Sequence, residues 1–81
     1  MNHKSVPKVF TVIEPRITQL TLPTEHRDSF LRFLDGRKIK LEKPVQTEVW
    51  QGVESSLTEF ILPVSVQMAH LLFDDWLGEQ P

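Results

Sequence analysis

QTEVWQGVESSLTEFILP, residues 46–63, is the stretch on which the fold turns. Two runs within it, QTEVWQGV (46–53) and LTEFILP (57–63), are rich in β-branched and aromatic residues. They flank Glu54-Ser55-Ser56, a polar, turn-forming tripeptide, so the segment reads as a β-hairpin. Val49, Val53 and Leu57 also fit a helical spacing, and a helix through 46–60 stays open as the alternative. A hairpin here makes the chain α+β with a mostly antiparallel sheet.

Upstream, KVFTVIE (8–14) and RITQLTL (16–22) read as strands, separated by Pro15. Pro23 stops the second, and Thr24 is placed to N-cap a helix over EHRDSFLRFL (25–34). Glu25 and Asp28 sit near the positive end of that helix dipole. Phe30, Leu31, Phe33 and Leu34 supply its apolar face, and Asp35-Gly36 ends it, glycine permitting a left-handed turn. RKIKLEK (37–43) alternates: Ile39 and Leu41 point one way, Lys38, Lys40 and Glu42 the other, the pattern of a half-buried strand. Pro44 closes it.

Downstream, VSVQMAHLLFDDWLGEQP (64–81) predicts a second helix, with Pro63 or Ser65 near its start and Gly78 just past its end. On a helical wheel Val66, Met68, Ala69, Leu72, Phe73, Trp76 and Leu77 form one wide arc; Gln67, His70 and Asp74 form the polar stripe. The arc is wider than a surface helix needs. Leu71 lies beside Asp75, away from the arc's centre, where the protein's own sheet does not easily reach. Asp74 and Asp75 occupy the last turn, where the dipole disfavours carboxylates by about 0.3–1 kcal/mol each. Leu71, Leu72, Phe73 and Trp76 are therefore the expected partner contacts, with Trp50 and Trp76 as candidate anchors. The element order is ββαβββα, in one domain spanning 1–81 with a loose start at 1–7.

The net charge of −2 conceals a partition. All nine basic residues lie in 1–43, with five acids, a surplus of +4; residues 44–81 carry six acids and no Lys or Arg, hence −6. Such asymmetry points to nucleic acid or to an interaction surface. Arg27, Arg37, Lys38 and Lys40 are the expected phosphate contacts, with counterion release supplying most of the affinity. No aromatic residue is interleaved with Lys38 and Lys40, which disfavours a stacking platform for single strands.

Chemistry of other kinds finds little footing. There is no cysteine, so disulfides, thiolate metal sites and a cysteine nucleophile are excluded. His3, His26 and His70 show no metal-ligand spacing. Phosphate-binding glycine loops and a G-x-S-x-G elbow are missing, and Asp74 and Asp75, adjacent on a helix, diverge too far for an acid–base pair. No metal, cofactor or enzymatic activity is expected. Nor is a signal peptide or a membrane span, which leads to the expectation of a cytoplasmic protein. A chain of 81 residues buries only about 60–65% of its unfolded surface, and self-association into a dimer is expected at this size.

Leu20-Thr21-Leu22-Pro23, then Arg27, Gly36 and Ile39-Lys40-Leu41, resemble the core of AbrB/MazE-type swapped-hairpin domains: a strand ending in a L-T-L-P-like tetrapeptide, a short helix with Arg four residues after the Pro, a Gly and a strand. The resemblance covers about a third of the chain. It implies a dimer formed by exchanged hairpins, basic residues gripping DNA and, in antitoxin members, an acidic C-terminal segment covering a toxin. The leading expectation is a small non-enzymatic regulatory protein, antitoxin- or repressor-like: 8–43 dimerises and contacts DNA, and 44–81 binds a second protein. The competing expectation is a protein-interaction or assembly subunit with no nucleic-acid role.

Overall fold

The computed structural model describes residues 6–50 and 53–80, with backbone alone at 48–50 and 53–55. The chain is α+β. β1 (Val9–Glu14), β2 (Ile17–Pro23), a 3-10 turn (Thr24–His26), α1 (Arg27–Gly36), β3 (Gln46–Trp50), β4 (Val53–Leu62) and α2 (Val66–Gly78) follow in order. The four strands form one antiparallel sheet in the order β1-β2-β4-β3.

Period-two alternation in the two central strands sets the layers. Thr18, Leu20 and Leu22 of β2 are buried, as are Thr58, Phe60 and Leu62 of β4. Cross-strand pairing puts Leu20 opposite Phe60, Thr18 opposite Leu62 and Leu22 opposite Thr58, so all six share one face. Phe30, Phe33 and Leu34 of α1 and Ala69, Leu72, Phe73 and Trp76 of α2 complete the core on that face. Phe30 is its hub, with ring centroids 5.0 Å from Phe60 and 5.5 Å from Trp76, both edge-on. The two buried threonine hydroxyls are satisfied. Thr18 Oγ1 donates to the Val64 carbonyl at 3.0 Å, while Thr58 Oγ1 lies 2.9 Å from Thr24 Oγ1 and 2.8 Å from Thr47 Oγ1. The opposite face, with Ile17, Gln19, Thr21, Glu59 and Ile61, is covered by no helix among the described residues.

The hairpin expected over 46–63 forms, and the helical alternative does not. Its turn is displaced: Trp50 pairs with Val53, so Glu54–Ser56 lie inside β4 rather than in the turn. Gln51 and Gly52 lie outside the described residues, as do His3 and most of the 1–7 segment. Trp50 enters only through its backbone; its side chain is outside the described set.

The strand expected at 37–43 is replaced by a turn and an extended loop. The cause lies at the end of α1. Lys38, not Gly36, takes the left-handed conformation, with φ 60°. Lys38 N donates to Asp35 O at 3.0 Å and Ile39 N to Leu34 O at 3.0 Å, the paired bonds of a Schellman motif. These bonds fold Ile39 back onto Leu34, and the chain reaches β3 as a loop. The alternation survives as burial, because Ile39 and Leu41 are half-buried and Lys38, Lys40 and Glu42 exposed. Among the described residues four strands result instead of five. The strand that the swapped-hairpin resemblance places at Ile39–Leu41 falls in this loop.

Two caps also differ. Thr24 opens the 3-10 turn, and its hydroxyl is paired with Thr58 rather than capping α1, whose N-cap residue is His26 with no side-chain bond. Of the two residues expected near the start of α2, Ser65 is the cap, its Oγ accepting from Met68 N at 3.2 Å. Gly78 is the last residue of α2 rather than the first beyond it.

Candidate functional site

The expected phosphate contacts separate into two kinds. Arg27 is one-third exposed and donates from Nη1 to Thr47 Oγ1 at 3.2 Å, joining α1 to the threonine chain Thr24–Thr58–Thr47. Arg37 reaches the acidic helix: Nη1 is 3.1 Å from Asp75 Oδ2 and Nη2 is 3.6 Å from Glu79 Oε2, with the guanidinium 4.6 Å from the Phe33 ring centroid. Both arginines thus hold elements of this chain together. Lys38 and Lys40 make no ion pair among the described residues. Lys40 and Lys43 rim a shallow apolar groove between α1 and the loop, floored by Leu31, Leu34 and Leu41, while Lys38 stands outside it.

Of the expected partner contacts, only Leu71 is exposed, at 58%. Leu72, Phe73 and Trp76 are core residues, at most 5% exposed. Trp76 is fixed by more than packing: its indole N–H donates to Ser29 Oγ at 3.1 Å, and the His26 ring lies 5.4 Å away, edge-on. Most of the wide arc of α2 is therefore filled by the sheet and by α1; Met68, at the rim of the arc, stays 45% exposed, and Leu71 lies outside the core as well. Among the described residues no three of His, Asp and Glu gather to hold a metal ion, and no helix is long and apolar enough to cross a membrane.

The surface that sequence reasoning missed is β1. Among the described residues it is an edge strand, paired only with β2. Its register is Val9 with Thr21, Phe10 with Leu20, Thr11 with Gln19 and Val12 with Thr18. Phe10 and Val12 thus face the helices, and Val9 and Thr11 the open side. Phe10 is anchored, its ring stacked on His70 at 3.8 Å and edge-on to Phe73 at 6.0 Å. Val9, Val12 and Ile13 are 58%, 57% and 48% exposed. A bulge at Ile13 shifts the register before Glu14, which lies opposite Ile17. The signal was present in the sequence: VFTVI carries apolar residues at both parities of a strand and no charge. Such a strand is covered on both faces or leaves one apolar face bare.

An edge strand presents unpaired backbone N–H and C=O groups along its free side. Natural edges are guarded by charges, prolines, bulges or a covering loop; here Pro7 and Lys8 at one end and the bulge and Pro15 at the other guard the ends, and between Val9 and Val12 the only polar side chain is Thr11. Chemically the site can do one thing well, which is accept a strand. Comparison of the chain with family models, with curated proteins and with solved structures returns no match, so none of them bears on the swapped-hairpin resemblance.

Proposed function

We propose that this chain is a non-enzymatic protein-interaction module that docks by adding a strand to the free edge of β1. The observation that carries the reading is the exposure of Val9, Val12 and Ile13 along an unpaired edge. Main-chain hydrogen bonds supply affinity in strand addition, and alternate side chains supply selectivity. Thr11 and Val9 on the open side, and Val12 beside Phe10 on the helix side, are the selectivity positions here.

The DNA-contacting arrangement has less support than the strand-adding one. Arg27 and Arg37 are engaged within the chain, and Lys38 and Lys40 stand on a loop rather than on a rigid strand. Two lysines neutralise few phosphates, and affinity falls with each cation removed.

Site-specific photo-crosslinking in cells tests the reading. A benzophenone side chain at Val9 or at Val12 gives protein adducts, whereas the same group at exposed Asp28 or Arg32 gives none. Equal labelling from all four positions, or none from the edge, overturns the proposal.

A further inference from the structure

Resting on that edge reading, we propose that the strand β1 accepts is β1 of a second copy of this chain, antiparallel, with the two-fold axis passing through Thr11.

The chemistry of the strand is symmetric about that residue. Pro7-Lys8-Val9-Phe10-Thr11-Val12-Ile13-Glu14-Pro15 reads the same from either end in kind: proline, charge, aliphatic, apolar, threonine, apolar, aliphatic, opposite charge, proline. Pairing about Thr11 sets Phe10 against Val12 of the other copy and Val9 against Ile13. Directly opposed residues of an antiparallel pair share a face. Phe10 and Val12 both face the helices. Val9 faces the open side, and Ile13 lines an open-side hollow with Ile17 and Ile61. Every opposed pair is thus apolar with apolar, on matching faces, and the only polar pair is Thr11 with itself.

Charge selects the direction. Antiparallel pairing brings Lys8 of one copy to Glu14 of the other at both ends. Parallel pairing stacks Lys8 on Lys8 and Glu14 on Glu14, and like charges directly opposite are destabilising. The bulge turns Glu14 toward the open side while Lys8 lies on the helix side over Phe73, so the direction is selected by avoiding the like-charge contacts of the parallel pair, and the opposite charges only neighbour one another at the strand ends. Lys8 is exposed, its Nζ 5.3 Å from the Phe73 centroid. Neighbouring registers fit worse: an axis at Phe10 buries Lys8 against Val12, and an axis at Val12 sets Lys8 against Arg16. Pro7 and Pro15 bound the paired length. The contact is isologous and closed, so it gives a dimer with one continuous eight-stranded sheet and no fibre.

A strand edge alone buries less than the roughly 1,200–2,000 Å² of a stable interface, so the dimer is weak, with a dissociation constant on the order of 100 μM. Sedimentation of the full chain over a concentration series tests it. Thr11 is exposed, and its place on the axis makes it the one residue that meets itself. Thr11→Lys and Thr11→Glu are each predicted to remain monomeric where the wild type dimerises, and a 1:1 mixture of the two to recover dimer at least tenfold more readily than either alone. Val12→Lys, which blocks the edge without touching the axis, also stays monomeric, and the mixture does not rescue it. A wild type that is monomeric up to about 1 mM overturns the self-pairing; adducts from Val9 and Val12 to a different protein would then leave the edge reading standing. A dimer indifferent to all three substitutions overturns both.

Discussion

Lys38 and Ser29 show how single residues carry this fold. Lys38 holds φ 60° at the end of α1, a conformation that costs a residue with a Cβ about 1–2 kcal/mol relative to the right-handed region. The two Schellman bonds and the contact of Ile39 with Leu34 hold it there. Lys38→Gly is therefore expected to raise unfolding stability by about 0.5–1 kcal/mol in a urea titration, despite the greater freedom glycine has in the unfolded chain. A destabilised Lys38→Gly would contradict this account of the α1 terminus. Ser29 does the opposite work: its hydroxyl is the acceptor for the buried Trp76 indole N–H. Ser29→Ala leaves that donor unpaired, at an expected cost of about 1–3 kcal/mol by the same titration.

At the scale of the element, α2 separates two leucines that are adjacent in sequence. Leu72 is in the core and Leu71 is not. Leu72→Ala is expected to cost about 2–5 kcal/mol, and Leu71→Ala to stay within about 0.5 kcal/mol of wild type. Comparable losses at both positions would mean that a partner or a second copy covers Leu71. The elements themselves were largely legible. β1, β2, α1, the 46–63 hairpin and α2 follow from periodicity and from proline punctuation, and their order fixes the α+β class. The misreadings share one cause, the inability of local pattern to report which neighbour completes a backbone or an apolar face. RKIKLEK alternates as a strand does, yet the Schellman closure of α1 turns it into a loop. Glu54-Ser55-Ser56 looks like a turn, yet β4 runs through it, because pairing with β3 resumes at Val53. The arc of α2 is too wide for one surface, and two elements, sheet and α1, cover all of it but its rim at Met68. The candidate site was less legible. Arg27 and Arg37 looked like free cations because their partners, Thr47, Asp75 and Glu79, are 20, 38 and 42 residues further along the chain. β1 was recognised as a strand, but not as an edge, since strand order is set by long-range pairing.

For the whole molecule, the split between a basic front and an acidic rear resolves in part into contacts within one chain, with Arg37 bridging to Asp75 and Glu79. These groups are about half exposed, so the bridge contributes little: a double-mutant cycle on Arg37 and Asp75 is expected to give at most about 1 kcal/mol, less at high salt. A coupling well above that, persisting in 1 M salt, would contradict a solvated bridge. The proposed self-association through β1 is expected to behave differently: main-chain bonds and apolar side chains are not screened by salt, so raising ionic strength leaves the dimer largely intact.

The chain has no cysteine, which allows the central claim to be tested by the rate of disulfide formation between copies. Opposed residues of an antiparallel pair place their Cα atoms about 4.5 or 5.5 Å apart, both within reach of a disulfide. Among single-cysteine variants at Val9, Thr11, Ile13 and Asp28, oxidised under identical conditions, Thr11→Cys is predicted to form the symmetric dimer fastest and Asp28→Cys slowest. Equal rates at all four positions, or fastest bridging at Asp28, would show that copies do not meet along β1.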